Sequence, residues 1–154
     1  MRYDDGVRRL VAAWKERGLR RLAEAAAEVI AETVERPVAS VVAFVPPDRD
    51  RTLKRGHHAA ERLARELAAR WELPVAPLLV RAHPVPRQRG LSRAERRRNL
   101  ARAFVVKGRV PTRVTLVDDV YTTGATVHSA ASALRKAGAR RVEVVTFART
   151  IRIS

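Results

Sequence analysis

The chain of 154 residues has no cysteine, only two tryptophans, two tyrosines and three phenylalanines, and half as many acidic as basic residues, 16 against 32. Each shortage excludes something. Without cysteine there is no disulfide, no thiolate zinc site and no cysteine nucleophile within these residues. The few aromatics fall mostly where strand or core is expected, which leaves a poor platform for stacking the bases of single-stranded nucleic acid. No apolar stretch approaches the roughly 18 residues of a spanning helix, and the opening MRYDDGVRRL carries acids where a signal peptide would be apolar. The expectation is a cytoplasmic protein without a membrane span. The shortage of acids leaves a formal charge of +16. Such a surface attracts polyanions, so single-stranded DNA is a candidate partner. Apart from Lys15, Lys54, Lys107 and Lys136 every basic residue is arginine, so genome composition or heat adaptation is an alternative source of the arginine.

What is present describes one folded α/β domain over 1–154. The apolar fraction is 46%, and the length suffices for a single substantial core. Residues 5–34 have helical spacing, with Val7, Leu10, Val11 and Trp14, then Leu22, Ala26, Val29 and Ile30, split at Gly18. A helix over 57–71 follows from Ala60, Leu63, Ala64, Leu67 and Trp71 on one face. Short apolar runs at 38–45, 75–80, 103–106, 114–120 and 142–148 read as strands. Between them lies RAHPVPRQRGLSRAERRRNLAR, with a short helix expected at 92–98 behind Ser92 and Glu95. A last helix follows the loop 121–125 and closes at Gly138. Strands alternating with helices and apolar throughout predict a parallel sheet covered on both faces.

The stretch LVDDVYTTGATVHSA (116–130) is the most informative. In open α/β sheets ligands bind beyond the carboxyl ends of strands, which is where Asp118 and Asp119 fall. Behind them, Gly124 permits positive φ and close backbone approach, Thr122, Thr123 and Thr126 supply hydroxyls, and the helix that follows aims its amides at the loop. An anion would be held there chiefly by main-chain donors. A carboxylate cannot bind phosphate, but it accepts two neighbouring sugar hydroxyls or helps to hold hydrated Mg²⁺. Acids followed by a phosphate cradle describe a sugar phosphate.

VTLVDDVYTTGAT resembles the phosphoribosyl-pyrophosphate (PRPP) motif of the type I phosphoribosyltransferases. By that resemblance Asp118 and Asp119 bind the ribose 2′ and 3′ hydroxyls, with Mg²⁺ as cofactor, and Tyr121, Thr122, Thr123, Gly124, Ala125 and Thr126 surround the 5′-phosphate. YDDGVRRLVAAWKERG (3–18), RG (55–56), QRGLSRAERRRNLARAF (88–104) and AGARRVEVVTFAR (137–149) resemble the late-competence ComF family, a phosphoribosyltransferase-like group connected with DNA uptake. The implied architecture is a type I core with a minimal cap, a helical N-terminal segment over 1–36 and a flexible basic loop over 81–101. The resemblance implies a pyrophosphate loop at Pro47, Asp48 and Arg49. It further implies closure over the site by the loop carrying Arg87, Gln88 and Arg89, while Arg93, Arg96, Arg97, Arg98 and Arg102 serve either departing pyrophosphate or a DNA backbone. Two features depart from the family. Many members carry a cysteine-rich zinc module ahead of the Tyr3 equivalent, and Arg55-Gly56-His57-His58-Ala59 stands where relatives read Arg-Gly-Phe-Asn-Gln. His57 and His58 are expected as partly exposed helix-entry residues, His128 as packed on its helix, and Tyr121 as the aromatic most able to stack on a ligand.

Overall fold

The computed structural model describes residues 20–47, 58–82, 103–121 and 124–149. Eight elements follow in order: α1 (Arg20–Thr33), β1 (Val41–Phe44), α2 (Ala59–Trp71), β2 (Leu79–Arg81), β3 (Phe104–Val106), β4 (Arg113–Tyr121), α3 (Ala125–Lys136) and β5 (Arg141–Arg149). β1, β4 and β5 form a parallel sheet with β4 in the middle. Val41 lies beside Val114 and Phe44 beside Val117, while on the other flank Val114 meets Val142 and Asp118 meets Thr146.

Alternation along the strands divides the core into two layers. Val42, Phe44, Val117, Val145 and Phe147 pack under α1 and α2 with Ala26, Ile30, Leu63, Leu67 and Trp71. Val41, Ala43, Val45, Val114 and Leu116 pack on the other face against Val127, Ala130 and Leu134 of α3. Both faces of the sheet are covered, as the uninterrupted apolar runs predict. Leu63, Leu67, Leu116 and Leu134 are fully buried, each worth about 1.5–3 kcal/mol of transfer free energy.

The apolar run 75–80 does not form one strand of this sheet. Val75 makes a single parallel bridge to Val42, and Pro77, which has no amide hydrogen to give a ladder, interrupts the run. The chain then turns out as β2 and pairs antiparallel with β3, Leu79 opposite Val106 and Arg81 opposite Phe104. The two ends of the long arginine-rich segment are thereby joined at its base. Helix α2 starts at Ala59 with His58 in the cap position, two residues later than expected. Val29 is 40% exposed, although it was expected on the buried face of α1. The first part of the predicted 5–34 helix and the 92–98 helix lie outside the described residues. Among the described residues no helix is long and apolar enough to cross a membrane.

Candidate functional site

In a parallel sheet all strand ends of one kind lie on one edge. The carboxyl edge here gathers the exit of β1 at Val45–Pro47, the end of β4 at Asp118–Tyr121 and the starts of α2 and α3. Alternation along β4 puts Asp118 on the α3 face with Val114 and Leu116, and Asp119 on the α2 face with Val117. Both aspartates are half-buried at the strand end and not sunk into the core. The Asp119 amide donates to Asp118 Oδ1 at 3.0 Å, which fixes the first carboxylate against the main chain.

Gly124 turns the chain into α3 at φ 73°, ψ −6°, a left-handed conformation that favours glycine. The cap position is a glycine and makes no side-chain cap hydrogen bond, and the first turn of α3 holds no acid, so the positive end of the helix faces the carboxyl edge. The Gly124 carbonyl accepts from His128 at 2.8 Å and opens the helix. A Cβ at Gly124 would overlap the hydroxyl and ring of Tyr121. That ring is half-buried against the α3-side core, where it covers Gly124. Its place is thus in the wall beneath the cradle. His128 is exposed and not packed.

Two further side chains sit at this edge: His58, which is at the helix entry as expected, and Arg81. The His58 ring, whose side chain is 14% exposed, meets the Phe44 ring edge-on at 5.4 Å between centroids. Its Nε2 is 3.1 Å from the Val45 carbonyl and its Nδ1 is 3.4 Å from Glu61 Oε2. Burial lowers its pKa below 6.5, against the opposing pull of Glu61, the Val45 carbonyl and the nearby charge of Asp119. Glu61 is itself shifted: burial would raise its pKa, but hydrogen bonds from Arg65 and His58 outweigh that and hold it low. On the other face, Arg81 Nε donates to the Pro46 carbonyl at 3.1 Å, and its guanidinium lies 5.0 Å above the centre of the Phe104 ring. The departure from Arg-Gly-Phe-Asn-Gln had pointed to 57–59. Nothing in the sequence had distinguished Arg81 from its neighbours.

Of the expected site residues, Pro47, Asp118, Asp119, Tyr121, Gly124, Ala125 and Thr126 lie together on the carboxyl edge. Asp48, Arg49, Thr122, Thr123, Arg87, Gln88, Arg89, Arg93, Arg96, Arg97, Arg98 and Arg102 lie outside the described residues. The donors at the edge suit a hard cation: two carboxylates can take Mg²⁺ with its waters and substrate oxygens. Among the described residues no three acids, histidines or cysteines group into a protein-only metal cage.

No protein-family model matches the chain. Over 141 residues it is 35% identical to competence protein F of Haemophilus influenzae, an alignment that covers 88% of this chain and 62% of that protein. The chain therefore spans less than two thirds of that relative. Among solved structures, the glutamine PRPP amidotransferase of B. subtilis, complexed with ADP and GMP, superposes with a TM-score of 0.58 at 23% identity, over 81% of this chain and 26% of that one. The purine phosphoribosyltransferase of Pyrococcus horikoshii gives 0.52 at 16% identity, over 84% of this chain and 76% of that one. Sequence and architecture agree: the chain is a homologue of competence protein F built on the type I phosphoribosyltransferase fold.

Proposed function

We propose that this domain binds PRPP with Mg²⁺ and transfers ribose 5-phosphate to an acceptor nucleophile, releasing pyrophosphate. The observation that carries the reading is the sequence of features along one chain segment: two half-buried aspartates at a strand end, then Gly124 at φ 73°, then the start of α3 with no acid in its first turn. The amides that open α3 hold the 5′-phosphate, and Asp118 and Asp119 accept hydrogen bonds from the ribose hydroxyls. As the C1–oxygen bond breaks, the electron pair leaves with pyrophosphate and positive charge grows on the ring, which the neighbouring carboxylates stabilise. When bound, Mg²⁺ neutralises part of the pyrophosphate charge, and Asp118 and Asp119 are the residues placed to hold it. Calorimetry with PRPP and Mg²⁺ tests the proposal. Heat in the wild type that disappears in Asp118→Asn/Asp119→Asn supports it; a silent wild type overturns it.

A second reading has its own support. Lys107, Arg109, Arg113, Arg135, Arg140 and Arg141 are all exposed around the amino edge of the sheet, at the pole opposite the aspartates. Such a face suits the phosphates of single-stranded DNA and carries no exposed aromatic among the described residues, so binding would be salt-dominated and indifferent to base identity. Fluorescence anisotropy across a salt series is the assay. Steep salt dependence that flattens in Arg113→Glu/Arg141→Glu supports this reading, and no binding at low salt ends it.

A further inference from the structure

Val38 is the most exposed of the large apolar residues described, at 61%, and it stands at the amino pole of the sheet, among arginines. It lies in the short connection from α1 to β1, where Val34 is also exposed and Arg36 is exposed between the two. Two residues on, the Ser40 amide donates to the Arg113 carbonyl at 3.1 Å, and Arg113 is the register partner of Arg141 on β5. The Arg140 and Arg141 amides both donate to the Thr112 carbonyl, at 2.8 and 2.9 Å, which ties the start of β5 to that of β4. Paired strands lie about 4.8 Å apart, so these links bring Val38 within about 20 Å of Arg113, Arg140 and Arg141. We propose that this pole, an apolar tip among arginines, is a docking surface for an anionic lipid bilayer.

Charge alone does not choose between polyanions, but the valines do. An exposed valine gains nothing from a phosphodiester backbone. At a bilayer it enters the boundary between headgroups and acyl chains, while the arginines beside it meet anionic headgroups. Acids do not cancel that charge: Glu143 is held by Arg141 at 2.6 Å, and Glu35 is the one acid in the connection from α1 to β1. The attachment is peripheral, since among the described residues no helix is long and apolar enough to cross a membrane.

The pole also sets an orientation. β4 runs from Arg113 at this end to Asp118 at the other, five steps of about 3.3 Å, or roughly 16 Å. Docking therefore turns the carboxyl edge away from the bilayer, beyond the roughly 10 Å over which its surface potential acts.

Flotation of the full chain with vesicles of phosphatidylcholine alone, or mixed with phosphatidylglycerol, tests the proposal, and the same proteins are titrated with single-stranded DNA by fluorescence anisotropy. Wild type should float with the anionic vesicles and not with the neutral ones. Val38→Ser should lose roughly three- to fivefold in vesicle affinity and keep its DNA affinity. Arg113→Gln/Arg140→Gln, at two exposed positions, should lose about 25-fold, about fivefold for each arginine. A wild type that does not float with anionic vesicles overturns the proposal. So does a Val38→Ser protein that floats like wild type, or that loses DNA affinity to the same extent, because the valine then does not single out lipid. Arginine variants that float like wild type overturn the assignment to this pole.

Discussion

The turn at Gly124 is the feature whose replacement tests the cradle most directly. Gly124→Ala forces a Cβ onto a residue at φ 73° and drives that atom into the Tyr121 ring. The left-handed conformation costs an L-residue about 1–2 kcal/mol. The ring cannot flex like an aliphatic chain, so its displacement from the core adds about 1–3 kcal/mol. Alanine also restricts the unfolded chain, which returns about 0.4–1 kcal/mol. The net loss lies near 3 kcal/mol. In a Tyr121→Ala background the ring contribution vanishes and only the backbone part remains, about 1 kcal/mol. Urea unfolding of the four proteins of this double-mutant cycle should therefore yield a coupling of about 1–3 kcal/mol between the two positions. Coupling below about 0.5 kcal/mol refutes the packing of Tyr121 over Gly124. A Gly124→Ala protein as stable as wild type refutes the turn geometry as well.

Thr115 is completely buried and its hydroxyl has no hydrogen-bond partner among the described residues, so Thr115→Val should leave stability unchanged or raise it by about 1 kcal/mol; a loss of that size in thermal unfolding would contradict the orphaned hydroxyl. His58 has its folded pKa lowered from 6.5 by burial, so below that value the unfolded chain takes up the proton first and stability falls with pH until the folded pKa is passed. His58→Gln should flatten this part of the pH–stability curve, and identical slopes for both proteins between pH 5 and 7 would show that His58 does not contribute. Leu63→Ala should cost about 2–5 kcal/mol in denaturant unfolding, whereas Val29→Ala on the exposed side of α1 should cost under about 0.5 kcal/mol, and similar costs at the two sites would invalidate the burial pattern.

The elements legible in the sequence are those whose signal is local. The apolar runs at 41–44 and 114–117 are buried on both faces of a sheet, 142–148 carries Val145, Phe147 and Ala148 into the core, and Leu63, Leu67 and Trp71 recur at helical spacing because α2 presents one stripe to the core. Gly138, at φ 116°, closes α3 where its residue type alone suggested. The β2–β3 pair escaped because pairing is a property of two segments more than twenty residues apart, and short apolar runs read alike in either sheet. Arg81, and the contact that His58 makes from the helix entry, escaped for a different reason. Their acceptors are main-chain carbonyls, and a carbonyl leaves no mark on the residue that carries it.

That last point bears on how such a site can persist while its sequence changes. The groups assigned to the phosphate are amides at the start of α3, and the acceptors at the β1 exit are the carbonyls of Val45 and Pro46. Main-chain donors and acceptors survive any side-chain replacement that leaves φ, ψ and register intact. The demands on sequence then concentrate on few positions: glycine at 124, carboxylates at 118 and 119, and a donor able to reach the Val45 carbonyl. The histidine at 58 meets the last demand with a ring that also packs on Phe44.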